Sequence, residues 1–66
     1  MELFPLANCG NASCPTIYAT STGHVVVQGE PVAAADVRID VPAHELLVRI
    51  PESVLLEAAA RLAGAP

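Results

Sequence analysis

The sequence predicts a small α+β domain, an antiparallel sheet of about four strands with a C-terminal helix. Three observations predict it. Residues 16–28 alternate or run in β-branched residues around Ser21-Thr22-Gly23, as a hairpin does. Residues 36–41 alternate apolar and polar side chains strictly, and Leu46, Val48 and Ile50 recur at every second position, the period of half-buried strands. The closing stretch PESVLLEAAARLAGAP carries helix start and stop signals at its two ends.

Taken in order, residues 1–15 show no period and are punctuated by Pro5, Asn8, Gly10, Asn11 and Pro15, so they are expected to form an extended or looped N-terminal arm. A single domain is expected over residues 16–66. In the first strand Ile17 and Ala19 share one face, and Thr16, Tyr18 and Thr20 the other. Gly23 supplies the positive φ of the turn, and Val25 to Gln28 return as the second strand. Gly29-Glu30-Pro31 breaks the pattern, and residues 32–35 suit a short helical turn but are too few to nucleate a helix alone. In residues 36–41, Val37, Ile39 and Val41 are expected to face inward, with Asp36, Arg38 and Asp40 outward. A turn at residues 42–45 leads to a last strand with Leu46, Val48 and Ile50 inward. In the helix, Pro51 suits the first position, Glu52 the positive end of the dipole and Arg61 the negative end. Glu57 and Arg61 are spaced for an ion pair, and Gly64 fits the stop. Leu55, Ala58, Ala59 and Leu62 form the expected inward stripe, with Val54 beside it and Leu56 on a flank.

Bulk composition narrows function. At 66 residues the chain is one domain at most, and such a domain buries only about 60% of its unfolded surface. Yet 53% of its residues are hydrophobic, more than so small an interior can hold. The surplus predicts self-association or a protein partner. Net charge is −4, lysine is absent, and Arg38, Arg49 and Arg61 are scattered, which excludes the clustered cations of a direct nucleic-acid binder. The N-terminal stretch lacks the regions of a secretion signal, and no apolar run reaches membrane-spanning length. The expected location is the cytoplasm, where thiols are reduced.

Cys9 and Cys14 are the most specific chemical pair. A structural zinc site needs four ligands, and the only other candidates are His24 and His44, in an order that matches no common zinc module. A site shared across a dimer, with two cysteines from each chain, is the arrangement that would complete the set. A disulfide is a second reading, since Gly10 and Asn11 lend the backbone freedom to close the loop. The preferred reading is simpler: Cys14 is a small buried apolar group at the root of the hairpin, with Cys9 packed near it. Neither histidine belongs to a nucleophile–base constellation, and no glycine-rich run precedes a helix, so no enzyme, cofactor or metal is expected. Tyr18, Val26, Leu47 and Leu56 lie off the expected core faces and are the candidate interaction residues.

From Cys14-Pro15-Thr16-Ile17-Tyr18 through Gly23, Val25-Val26-Val27 and Gln28-Gly29 to Val48-Arg49-Ile50-Pro51, the chain resembles small actinobacterial proteins of unknown function. That group is similar to the BldB-type family of developmental regulators, often encoded beside helix-turn-helix repressors. The helix departs from the BldB relatives, being aliphatic and alanine-rich where they carry aromatics. The resemblance implies a non-enzymatic homodimeric regulator that acts through a helix-turn-helix DNA-binding partner. The alternatives are a metal-binding or redox-responsive module using Cys9 and Cys14, and a toxin–antitoxin component.

Overall fold

The structure, a computed structural model, describes residues 1–8 and 14–64. It contains β1 (Leu3–Asn8), β2 (Thr16–Thr20), β3 (Val25–Gln28), β4 (Glu30–Val32), α1 (Ala34–Val37), β5 (Leu47–Arg49) and α2 (Glu52–Leu62). β1, β2 and β3 form one antiparallel sheet in that order, and β4 and β5 form a second, two-stranded antiparallel sheet. The α+β class and the C-terminal helix are as the sequence predicts.

The β2–β3 hairpin follows its alternation. Tyr18 lies opposite Val26 and Ile17 opposite Val27. Gly23 turns the chain at φ 84°, where a side chain would be strained. One hydroxyl organises the turn. Thr20 Oγ1 donates to the His24 carbonyl at 2.7 Å and accepts the backbone N–H groups of His24 and Thr22 at 3.1 and 3.2 Å.

Four expectations are corrected. The first is the arm, which over Leu3–Asn8 is an edge strand paired with β2. Its register shifts between Pro5 and Ala7. That irregularity hides the strand's period and lets the adjacent Leu6 and Ala7 both reach the core. Residues 9–13 of the expected arm lie outside the described residues.

The second concerns residues 36–41, which form no strand. The alanines before them close one helical turn, α1, and Arg38 ends it in the left-handed region at φ 57° with its N–H bonded to the Ala34 carbonyl at 2.9 Å. Val37 and Ile39 are left exposed. The third is the break at Gly29-Glu30-Pro31. The chain passes through Gly29 from one sheet into the other, and Glu30–Val32 pair with Leu47–Arg49. Gly29 permits this because the backbones nearly touch: a Cβ there would lie 2.6 Å from the Arg49 carbonyl oxygen and 2.8 Å from Ile50 Cγ2. Of Leu46, Val48 and Ile50, all expected inward, only Ile50 packs against the core.

The fourth is the face of α2. The caps agree with expectation: Glu52 in the first turn, Arg61 in the last, Gly64 at φ 80°, and an Arg61–Glu57 ion pair at 3.3 Å. Pro51 is the N-cap, one residue before the helix. Of the expected stripe only Ala58 is buried, together with Val54 beside it, and the two join Ala7 and Ile17 in the core. The expected Leu55, Ala59 and Leu62 are exposed. At 100° per residue this is a rotation of about 70° about the helix axis. The smaller residues face the sheet because they let the helix axis come close to β1 and β2, the two strands it packs against most.

Two substitutions check this packing. Val54→Asp should abolish the folded circular-dichroism signal by burying a charge, whereas Leu55→Asp should leave it intact. Gly29→Val should lower stability in urea unfolding by about 1–3 kcal/mol, the usual cost of overpacking.

Candidate functional site

The surface with the strongest physical case is the exposed apolar part of the main sheet's helix-side face, beside α2. Pleating and register place Phe4, Ala19 and Val25 in one row of the main sheet, and Ala7, Ile17 and Val27 in the next. Both rows face the helix side, since Ala7 and Ile17 pack against Val54 and Ala58. The helix covers the Ala7–Ile17 corner and stops there. Phe4, Val25 and Val27 stay 50%, 48% and 39% exposed.

The helix supplies a wall beside it. Glu57 and Arg61 line a cleft with Pro5, Leu6, Ala7 and Asn8, so that flank of α2 stands over β1. Leu55 and Leu62, on the other side of the buried Val54–Ala58 stripe, therefore face the β3 side, where they are 54% and 57% exposed. β3, like β1, is an edge strand of the sheet. An apolar floor, an apolar wall and an unpaired edge strand together suit a peptide or helix of a partner protein. None of these groups offers a nucleophile, an acid or a base.

The candidate interaction residues do not gather into one patch. Tyr18 and Val26 are cross-strand neighbours on the face away from α2, half-buried, with the Tyr18 hydroxyl donating to Gln28 Oε1 at 3.2 Å. Leu47 is half-buried and lines a cleft of about 290 Å³ together with Val32, Ala34 and Val41, so it serves its own lobe. Leu56 is exposed on α2. Sequence reasoning missed Phe4, Val25 and Val27. Val25 and Val27 alternate with Val26 and so share the helix side of the sheet, which the helix covers only in part.

Cys14 is disulfide-bonded and half-buried, which corrects its reading as a free buried thiol. The only other cysteine in the chain, Cys9, lies outside the described residues. The buried Thr16 donates its hydroxyl to the Cys14 carbonyl at 3.1 Å, across Pro15. This local bond ties the cysteine to the root of the hairpin. Cys14, Pro15, Gln28, Gly29 and Glu30 line an open cleft of about 310 Å³ beside the passage between the two sheets. His24 sits by the β2–β3 turn with Nδ1 3.4 Å from Thr22 Oγ1, and His44 sits in the 42–45 turn 3.8 Å from Glu45. Among the described residues no three His, Cys, Asp or Glu side chains are grouped to hold a metal ion.

Two of the three arginines are spent on carboxylates: Arg49 on Glu30 at 2.6 Å and Arg61 on Glu57. Among the described residues no helix is long and apolar enough to cross a membrane. Cys14→Ser should lower stability by about 2 kcal/mol, read as a lower urea midpoint under non-reducing conditions, with no difference from the parent once both are reduced. In comparisons with protein-family models, curated proteins and solved structures, nothing matches this chain.

Proposed function

We propose that the chain is a non-enzymatic protein-interaction module whose binding surface is the exposed apolar face beside α2. The observation that carries the reading is that Phe4 on β1 and Val25 and Val27 on β3 lie on the core's own face of the sheet and stay uncovered. Burying a valine, leucine or phenylalanine contributes roughly 1.5–3 kcal/mol, so a few such side chains can hold a partner. The partner proposed is a helix-turn-helix DNA-binding regulator, with the chain serving in actinobacterial transcriptional or developmental control, in the cytoplasm, as its resemblance to the BldB-type group implies. A net charge of −4 and two arginines already paired support action through that partner in place of direct contact with DNA.

One observation favours a second reading. Cytoplasmic disulfides are chiefly transient or redox-sensing, and Cys14 is disulfide-bonded at the root of the hairpin. A redox-responsive interaction module would join the two readings.

The test is affinity capture with the tagged chain, identification of the retained protein, and titration with that protein purified. A helix-turn-helix protein should be retained, and Phe4→Asp or Val25→Asp should weaken it by about tenfold or more, the loss of one buried apolar anchor. Equal binding by parent and variants would place the interface elsewhere. Reduction of the disulfide should alter the affinity if the redox reading holds, and leave it unchanged otherwise.

A further inference from the structure

The two edge strands of the main sheet are built differently. β1 is blunted, as exposed edges usually are. It carries Pro5, its register shifts between Pro5 and Ala7, and Glu57 and Arg61 of α2 stand beside it. β3 has none of these features. Val25–Gln28 pairs with β2 in unbroken register and holds no proline and no charged residue.

The phase of the ladder shows which backbone groups β3 leaves over. The Ser21 N–H donates to the Glu2 carbonyl at 3.2 Å, so residue 21 turns its backbone toward β1 and its neighbour Thr20 toward β3. The N–H and carbonyl of His24 meet Thr20 Oγ1 at 3.1 and 2.7 Å, on the β2 side. Backbone groups point to alternate sides along an antiparallel strand. Val26 and Gln28 therefore bond to β2, opposite Tyr18 and Thr16, while Val25 and Val27 turn their N–H and carbonyl groups off the sheet. Among the described residues no strand lies on that side. The same two residues keep exposed side chains on the helix side. Two donors, two acceptors and two apolar side chains thus lie along one edge, at the spacing of a strand.

We propose that β3 takes an extended segment of a partner protein as a fourth strand, with apolar residues at two alternate positions beside Val25 and Val27. This deepens the reading of that face as the binding surface, and rests on it. A helix laid there could cover the valines but would not pair with the four backbone groups, whereas an extended chain does both. Charge selects between extended occupants. The net charge is −4, so a second copy of the chain is repelled, and a segment flanked by arginine or lysine is attracted.

The probe is the end-blocked peptide Arg-Thr-Val-Thr-Val-Thr-Arg, titrated into the whole chain and followed by amide hydrogen exchange. In the free chain the Val26 amide should exchange slowly and the Val25 and Val27 amides freely. Bound peptide should slow the latter two by about tenfold or more. Only alternate nitrogens of an added strand face β3. N-methylation of either the two valines or the last two threonines should therefore weaken binding by about tenfold, the loss of two hydrogen bonds, and the other pattern should bind like the unmodified peptide. Glutamate in place of both arginines should also weaken binding, by a factor that shrinks as salt is added. The inference is overturned by no saturable binding at about millimolar peptide, by unchanged exchange at Val25 and Val27, or by equal effects of the two methylation patterns. It is also overturned if those amides slow in the chain alone as its concentration rises, which would make a second copy the occupant. The peptide is independent of any captured protein. Failure to retain a helix-turn-helix protein would leave the strand site standing, and a captured partner weakened by Phe4→Asp would not rescue it.

Discussion

Val54 and Ala58 seat α2 on Ala7 and Ile17, and the rest of the molecule is arranged around that contact. It is a small core built from small residues. Ala58 and Ala7 bring the helix close to the sheet, so dispersion and desolvation act over a short distance and a narrow area. The contact fixes β1 to β2, holds Leu6 and Ile50 at its margin, and sets the direction in which Leu55 and Leu62 point. It also sets the limit of coverage. A helix of eleven residues that sits over β1 and β2 has little left for β3.

The limit explains the two bare surfaces. Val25 and Val27 lie on the correct side of the main sheet for burial but beyond the helix, and Val48 of β5 is left 42% exposed while Ile50 packs on the core. Each surface is an outward continuation of a face that begins in the core. That continuity distinguishes them from scattered exposed hydrophobes, which occur on any protein and need no account. The lobes differ in how much they need cover. The three-stranded sheet has α2 behind it, which covers part of its apolar face. The β4–β5 pair has only α1 and a half-buried cluster against it.

Much of this was legible in the residues. The hairpin could be read because its alternation is uninterrupted and Gly23 marks the turn. The helix could be read from Glu52, the Glu57–Arg61 spacing and Gly64. β1 could not, because Pro5 and the shifted register at Ala7 break its period, and pairing across the sheet outweighs local propensity. Residues 36–41 misled for the opposite reason. Their alternation is regular, but three alanines upstream and the left-handed Arg38 commit the chain to one helical turn with no strand beside it. Period alone does not reveal whether a partner strand exists.

The helix face and the exposed part of the sheet were hidden by the same cause. An alanine-rich helix is apolar most of the way round, so its pattern offers two stripes, Leu55–Leu62 and Val54–Ala58, of similar strength. Hydrophobicity favours the leucines, while close packing on a thin sheet favours the smaller pair, and packing decides. Once the smaller pair turns inward, the leucines must turn outward, and they do so on the side away from Glu57 and Arg61. The surplus of apolar residues that composition announces is thus placed by a steric choice made in the core. The same choice that stabilises the fold with alanine and valine leaves the larger side chains of Leu55 and Leu62 exposed on the surface.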